Sequence, residues 1–387
     1  MVGSRKQKEI ISKELVENPI MCGNFQMKEK QVEKWLGQMI SSRGLEDSVA
    51  QTVESREPKI RGAGLEAAAL VNDWRSLVAG GMDTAALLWE ACCVPSLLHG
   101  AGTWVSMSKA TEEKLNKLQN WYLRLVFQVG QGTPTAALLW DTGCLDMGLR
   151  VWKEKILLVL HLRQLDEESL ASRVYKEQLA NKWPGLAEEV EKICKQLGVE
   201  SANSCRLDIK SYKKMITEAC HKKNEERIRE NTNNSIKCER IKKEEYGRKK
   251  YLKETNINYV RELFKARFGL KEFAGNFPNS TKFKKSDWMC KCKLQKEKED
   301  HIKEGNCEAY KDLRQKYDNL DNDNDLLQYF NEVLERRERL EEEEARAGRD
   351  SCPLAGGEPK SPPMLLVPAP PGTSRHGDVT VQLVDHP

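Results

Sequence analysis

The chain of 387 residues is long enough for two or three domains, and its 32% of charged residues predicts extensive helical surface or disorder. A formal net charge of +4 hides an asymmetry, because residues 206–300 carry 27 Lys and Arg against 15 Asp and Glu, a net charge of +12. Neither a signal peptide nor an apolar run of the roughly 18 residues that span a bilayer is present. We therefore expect no membrane contact and an intracellular location, nuclear or cytoplasmic, with the twelve cysteines as reduced thiols.

The first predicted segment, residues 1–60, is mixed in character. Residues 32–40 alternate enough to predict a strand or a pair of strands, and residues 41–44 (Ser-Ser-Arg-Gly) supply a turn signal. From about Leu45 the pattern changes to that of a helix.

Residues 61–200 are predicted to form a helical bundle. Leu115, Leu118, Tyr122, Leu125 and Val129 recur at alternating spacings of three and four, which places them on one stripe of a helix. Gly and Pro residues separate the predicted helices. Those helices cover residues 65–78, 83–94, 109–129, 138–145, 151–165 and 181–197.

Three further segments follow the bundle. Residues 201–287 are helical by propensity and basic, with too few apolar positions for a large core of their own. Residues 288–345 contain a Cys/His group and a last amphipathic helix over residues 326–340. Residues 346–387 are rich in Pro and Gly and are predicted to be disordered. The sequence thus predicts a mainly α fold with a short strand segment before it.

The sharpest motif is Cys290-x-Cys292-x8-His301-x5-Cys307. Four soft or borderline ligands within 18 residues suit a tetrahedral Zn²⁺ site of the Cys₃His type. Bound metal would supply folding energy that the few apolar residues of this segment lack. Only one residue separates the first two cysteines, which strains simultaneous coordination, and the alternative is three ordinary thiols beside a surface histidine.

A second pattern interleaves cations with aromatic residues. Cations neutralise phosphates and release counterions, and rings stack on bases, so the pattern predicts contacts to RNA or DNA, whereas an ordinary helical surface is the alternative. The predicted contact residues are Lys242, Lys243, Arg248, Lys249, Lys250, Tyr251, Arg261, Lys265, Arg267, Lys282, Lys284 and Lys285.

Catalytic motifs are missing. Two-metal polymerase chemistry requires closely spaced aspartates, normally in an aromatic-x-Asp-Asp turn, and the nearest candidate (Asp321, Asp323 and Asp325) lies in a polar stretch without flanking strands. The sequence also contains no Walker loop, GxGxxG, HExxH or GxSxG motif. No catalytic residue is therefore assigned, and the sequence leans towards a protein that is not an enzyme.

The order of several motifs resembles the region after the polymerase palm in non-LTR retrotransposon (LINE-type) reverse transcriptases. Residues 34–37 (KWLG) resemble a Lys-x-Leu-Gly core, and residues 98–104 (LHGAGTW) resemble a Tyr-Gly-x-Glu-Thr-Trp box with two positions changed. Residues 115–124 (LNKLQNWYLR) resemble the helix that follows that box. The Cys/His group, then Tyr310-x-x-Leu313-Arg314, resembles the C-terminal zinc finger of these polyproteins.

The resemblance covers residues of roughly 25 to 340 and excludes the palm with its aspartates. It implies a residual palm-edge segment in residues 1–60, a thumb-like domain in residues 61–200 that holds nucleic acid by its backbone, and a zinc finger in residues 288–345. The expected function is non-catalytic nucleic-acid binding. Alternatives are a helical scaffold that binds protein partners through the Leu115–Val129 stripe and the acidic last helix, and a non-functional remnant of a mobile element.

Overall fold

The protein is described by a computed structural model. The described residues are 21–22, 25–26, 31–72, 81–232, 244–271, 273, 289–296, 299–303, 307–317 and 319–350. The fold is mainly α with short antiparallel strands before the helices, which confirms the predicted fold class. The predicted disordered tail lies outside the described residues from 351 onward, whereas residues 346–350 continue the last helix.

Two short hairpins open the described chain. In the second hairpin the register pairs Trp35 with Gln38, so Leu36 and Gly37 form the two-residue turn, with φ angles of 47° and 80°. Positive φ at both positions is the geometry that matches the twist of adjacent strands. The turn predicted at residues 41–44 is also present: Gly44 donates its N–H to the Ser41 carbonyl at 3.2 Å, just before the first long helix begins. The strands are β1 (Met21–Cys22), β2 (Phe25–Gln26), β3 (Val32–Trp35) and β4 (Gln38–Ser41).

Helices form most of the remaining described chain. A π-helical turn, Trp89–Cys93, links α2 to α3, and 3₁₀ turns lie at Ala101–Thr103 and Lys250–Lys253. The α-helices are α1 (Leu45–Asn72), α2 (Gly81–Leu88), α3 (Val94–Leu97), α4 (Lys109–Phe127), α5 (Thr135–Thr142), α6 (Met147–Leu162), α7 (Leu170–Ala180), α8 (Leu186–Leu197), α9 (Ile209–Thr232), α10 (Ile257–Arg267), α11 (Glu299–Lys303), α12 (Lys311–Lys316) and α13 (Asp323–Asp350).

Polar side chains fix where several helices begin. The Ser108 hydroxyl accepts a hydrogen bond from the backbone N–H of Thr111 at the start of α4. The Asp146 carboxylate accepts from Gly148 at the start of α6, and the Asn256 side chain accepts from Tyr259 at the start of α10. Each cap satisfies a backbone donor that the first turn of a helix leaves unpaired.

The core contains two hydrophobic clusters. The larger one includes residues from Val49 to Val333, so the predicted bundle, the basic segment and the Cys/His segment contribute to one interior. In that cluster Trp89 stacks on Tyr122 with ring centroids 4.9 Å apart. The smaller cluster lies among α6, α8 and α9. The basic segment needs no large core of its own because several of its described apolar residues, Phe264 and Phe268 among them, are buried in the larger cluster.

The chain divides into two compact units, residues 1–337 and 338–387. The described part of the second unit is helical, with exposed glutamates at 341–344 and an ion pair between Glu342 and Arg346 at 3.6 Å. Across the described residues, the helices are too short or too polar to cross a membrane.

Candidate metal centre and basic surface

A tight turn positions the first two cysteines of the Cys/His group. Met289 and Lys296 form an isolated antiparallel bridge, and between them the Cys290 N–H donates to the Gln295 carbonyl at 2.8 Å. Lys293 donates its N–H to the Cys290 carbonyl at 2.7 Å and adopts a left-handed φ of 60°. A non-glycine residue in this conformation costs about 1–2 kcal/mol, so the surrounding bonds hold the turn in a shape that the sequence disfavours.

The four predicted ligands converge. One ligand atom from each of Cys290, Cys292, His301 and Cys307 lies within 4.8 Å of all the others. The Sγ atoms of Cys290 and Cys307 are 3.3 Å apart, and Cys292 Sγ lies 3.3 Å from His301 Nε2. Sulfur atoms around a tetrahedral zinc are about 3.8 Å apart, given a Zn–S bond of about 2.3 Å. The spacing fits a single metal ion, and the one-residue gap after Cys290 does not keep the ligands apart.

Burial shapes the protonation of these groups. Cys290 and Cys307 are 1% exposed, and burial raises the pKa of both thiols. Burial is also the largest influence on Cys292 and raises its pKa, but backbone N–H groups of Leu294 and Gln295 and the neighbouring thiols outweigh it, so the pKa of Cys292 is lowered. A bound cation would take the place of the thiol protons. The group can therefore hold a metal ion.

The ligand segments rest on buried aromatic residues. Tyr329 on α13 donates its hydroxyl to the Ile302 carbonyl at 2.6 Å, and both side chains are fully buried. Tyr310, also fully buried, donates its N–H to the Cys307 carbonyl at 3.0 Å. These contacts fix the backbone on both sides of the ligands, which a metal site needs for a defined geometry. Trp288, two residues before the first ligand, lies outside the described residues.

The structure describes seven of the twelve predicted nucleic-acid contacts, and three of those seven are buried. Lys242, Lys243, Lys282, Lys284 and Lys285 lie outside the described residues. Tyr251, Arg261 and Arg267 are buried, with 9%, 5% and 5% exposure. The prediction that these three side chains contact nucleic acid at the surface was wrong, because each is buried and contacts acceptors or rings inside the protein.

Arg267 lies at the centre of a buried ion cluster. Its guanidinium donates to both carboxylate oxygens of Asp141, at 2.9 and 3.3 Å, and to Glu244 and Asp323 at 2.5 and 2.6 Å. The Tyr251 hydroxyl also donates to Asp141, at 2.6 Å. Burial lowers the pKa of Arg267, but Asp141, Tyr251 and Asp323 raise it by more. The pKa therefore lies above its ordinary value, and the guanidinium stays charged. The cluster joins segments that are far apart in the sequence.

Arg261 is held in a similar way by backbone and amide acceptors. Its Nε donates to the Val126 carbonyl at 3.0 Å, and its guanidinium also contacts the Asn72 side-chain oxygen. Burial lowers the pKa of Arg261. The residue therefore ties α10 to the ends of α1 and α4.

The remaining predicted cations are partly exposed and mostly paired. Arg248 pairs with Asp83 at 3.2 Å, Lys249 with Glu244 at 3.0 Å and Lys265 with Glu262 at 2.8 Å. Lys250 is exposed and forms no ion pair with the described residues. Of the seven predicted contact residues that the structure describes, four therefore lie at least partly at the surface.

A cleft that the sequence did not predict is lined by residues of α3, α6 and α9. Its volume is about 610 Å³, and Arg150, Lys153, Arg248 and His221 line it. Burial is the main cause that lowers the pKa of His221, and the cations Lys153 and Arg150 lower it further. Arg150 is paired with Glu90 at 2.6 Å, whereas Lys153 forms no ion pair with the described residues. Glu154 also lines the cleft, and Arg248 is paired with Asp83, so the cleft carries both signs of charge and Lys153 is its one lysine or arginine without an ion pair among the described residues.

Two exposed lysines lie near the N-terminal end of α9, the helix that contributes His221 to this cleft. Lys210 and Lys214 are exposed and share a face of the helix with His221, because spacings of four and seven residues return to the same side. In the sequence, the spacing of Lys210, Lys214 and His221 is the pattern that could have indicated this side of the cleft. Lys153 gives no such signal, since it is on α6.

Among the described residues, the Cys₃His group is the one cluster of three or more His, Cys, Asp or Glu side chains that could hold a metal ion. Asp323, the first residue of α13, is instead paired with Arg267 at 2.6 Å. Comparison with protein-family models, curated proteins and solved structures yields no match to the chain.

Proposed function

We propose that the Cys₃His group binds one Zn²⁺ as a structural ion. The convergence of four ligand atoms within 4.8 Å, from segments 290–292, 301 and 307, is the observation that supports it. Three thiols with one imidazole match the ligand set that zinc prefers in structural sites, and four protein ligands leave no open position for catalysis. The ion would join the segments around Cys290, His301 and Cys307, the second of which contacts α13 through Ile302 and Tyr329.

The full-length protein tests the zinc site by metal content and by thermal unfolding. We expect about one Zn²⁺ per chain, and a melting temperature that falls on treatment with EDTA and recovers with Zn²⁺. Cys292→Ser and His301→Ala should lower the zinc content strongly and abolish the response to EDTA. Matched controls are Cys92→Ser and His161→Ala, since both side chains are exposed and outside the cluster. Absence of saturable zinc uptake at neutral pH would show that the cluster holds ordinary thiols.

We further propose that the chain binds nucleic acid without catalysing a reaction, as a relative of the region after the palm in non-LTR reverse transcriptases. The order of motifs from residue 34 to residue 314 supports that relationship. The net charge of +12 in residues 206–300 supports a polyanionic partner. The missing aspartate pair argues against polymerase chemistry, so primer extension with Mg²⁺ or Mn²⁺ should be absent.

The contact surface proposed for phosphates is the outer face of α9 and the cleft beside it. Lys210 and Lys214 are exposed on this face, and Lys153 lies in the cleft without an ion pair among the described residues. Lys214 also lies 3.9 Å from Glu218, so Lys210 and Lys153 are the cations of this surface without an ion pair to another described residue, and such cations favour the approach of an anion. Arg261 and Arg267 have no part in this surface because internal acceptors already bind them.

A filter-binding assay across a salt series tests nucleic-acid binding, with RNA, single-stranded DNA and duplex DNA as probes. Affinity should fall steeply with salt, and Lys153→Gln or the double change of Lys210 and Lys214 to Gln should lower both the affinity and the salt slope. Lys176→Gln is the matched control, since Lys176 is exposed on another helix and pairs with Glu167. Binding that is absent, or indifferent to salt, contradicts the proposal.

The alternative of a protein-docking scaffold is weakened by one observation. Leu115, Leu118 and Tyr122, at the centre of the predicted docking stripe, are at most 1% exposed and form part of the core. The stripe is thus already occupied by the rest of the protein. The exposed glutamates at 341–344 remain as the docking face of that alternative.

A further inference from the structure

A second cleft, of about 450 Å³, lies between α4, α5 and α9. Its volume falls within the range of about 300–1,000 Å³ that is usual for small-molecule sites. Apolar wall is provided by Pro134, Leu139 and Ile228, and side-chain amides by Asn116, Asn120, Asn224 and Asn231. The combination of apolar walls and a few polar groups is typical of small-molecule sites, in which the polar groups fix the orientation of the ligand.

One of these amides is buried without a partner. Asn120 is 7% exposed, and its Oδ1 accepts no hydrogen bond. Asn231 is exposed, and the remaining two amides are already hydrogen-bonded: Asn116 donates to Asp146 and accepts from the Met147 N–H, and Asn224 donates to the Cys144 carbonyl and the Tyr246 hydroxyl. A buried polar group left unsatisfied is a cost to stability that most proteins avoid. Asn120 therefore marks the place where a ligand would complete the cleft.

The charges around the cleft favour a neutral ligand. Arg227 lines the cleft, but its guanidinium lies 3.5 Å from both the Glu112 and the Asp146 carboxylates. Two acids beside one cation leave no excess positive charge for an anion. A neutral ligand must then offer a donor to Asn120 Oδ1 and an acceptor to its Nδ2, with flat apolar faces for the walls.

We propose that this cleft binds an unpaired nucleobase through the amide of Asn120. Each nucleobase carries a donor beside an acceptor at its edge, and an asparagine amide can meet both at once. Such a base would enter from a single strand whose phosphates follow the basic surface, so this inference deepens the nucleic-acid function proposed above and rests on it. A free nucleoside offers the same edge and is distinguished by the experiment.

Equilibrium dialysis of the full-length protein with labelled adenosine, cytidine, guanosine and uridine tests the cleft. We expect saturable binding of at least one nucleoside, reduced about tenfold or more in Asn120→Leu. The same substitution should leave the melting temperature unchanged or raised, because it removes an unsatisfied buried amide. Asn181→Leu, at an exposed helix end, is the matched control and should bind as the parent does. Ala136→Phe, which fills the cleft without altering the amide, should also abolish binding.

Strands with and without bases separate this inference from the proposed function. A single-stranded 12-mer should bind more tightly than its abasic counterpart, and Asn120→Leu should remove that difference. If neither nucleosides nor bases contribute while the salt-dependent strand affinity persists, the base cleft is refuted and the backbone function stands. If nucleosides bind but no strand does, the cleft is supported with a free nucleoside as its ligand, and the nucleic-acid function fails.

Discussion

In the variant Arg267→Met, an uncharged side chain of similar length replaces the guanidinium that donates two hydrogen bonds to Asp141. Asp141 is fully buried and would keep only the Tyr251 hydroxyl, at 2.6 Å, among the side-chain donors of the cluster. Glu244 and Asp323 are 26% and 32% exposed, so water can replace Arg267 at both. The loss therefore falls mainly on Asp141, and removing one partner of a buried ion pair costs about 3–5 kcal/mol.

Urea unfolding at neutral pH measures this loss as a lower free energy of unfolding. The double variant Asp141→Leu/Arg267→Met should recover most of the stability, because no uncompensated buried charge remains. Lys250→Met is the control and should stay within about 0.5 kcal/mol of the parent, since Lys250 is exposed. If Arg267→Met unfolds like the parent but loses nucleic-acid affinity, Arg267 is a surface contact and the ion cluster described here is wrong.

The loss of stability in Arg267→Met should depend on pH, through the carboxyl group of Asp141. Burial raises the pKa of Asp141, and Arg267 opposes that shift. Without Arg267 the folded-state pKa of Asp141 rises further above its unfolded value. A raised carboxyl pKa favours the folded state below the unfolded pKa of about 4, and this advantage is lost as pH rises through the folded value. The stability deficit of Arg267→Met should hence be smaller in acid than at neutral pH.

Three other substitutions test separate parts of the fold. Ser108→Ala removes the cap of α4 and should lower the free energy of unfolding by about 1 kcal/mol in urea titrations. Gly81→Ala should cost about 2 kcal/mol or more, since φ is 51° and the added Cβ would lie 2.2 Å from the Glu254 carbonyl oxygen; a melting curve like that of the parent would contradict this. His221 has a lowered pKa, mainly from burial and then from Lys153, so it contributes stability above its unfolded pKa of about 6.5 that is lost as pH falls through the folded value. His221→Gln should therefore lose less stability than the parent between pH 7 and pH 5, which melting temperatures at both pH values measure.

Local patterns in the sequence predicted the local structure well. The alternating spacings of three and four around Tyr122 predicted α4, which the structure places at Lys109–Phe127. The helix α7 was missed, and α8 begins at Leu186, five residues after the predicted start at Asn181. The last helix continues to Asp350, ten residues beyond its predicted end, because its glutamates and arginines favour helix without forming an apolar stripe.

The two parts of the candidate site differed in how far the sequence could predict them. The metal ligands lie within 18 residues, so their spacing alone indicated a shared site. The role of Arg267 depends on Asp141, which is 126 residues away, and a lysine- or arginine-rich pattern does not show which cations meet an acid in the interior. The residues that line the cleft could not be grouped from the sequence for the same reason, because Lys153 and His221 are on different helices.

The ion cluster around Arg267 also bears on the order in which the chain can mature on the ribosome. Asp141 leaves the exit tunnel 126 residues before the guanidinium that neutralises it. At synthesis rates of about 5–20 residues per second, this interval lasts about 6–25 s. During that time α5 cannot be buried in its final form without enclosing an unpaired acid, and Asp323 arrives later still. Completion of the larger core is thereby postponed until the chain has been synthesised nearly to α13, and nascent chains that end before Arg267 would be natural clients for chaperones and proteases.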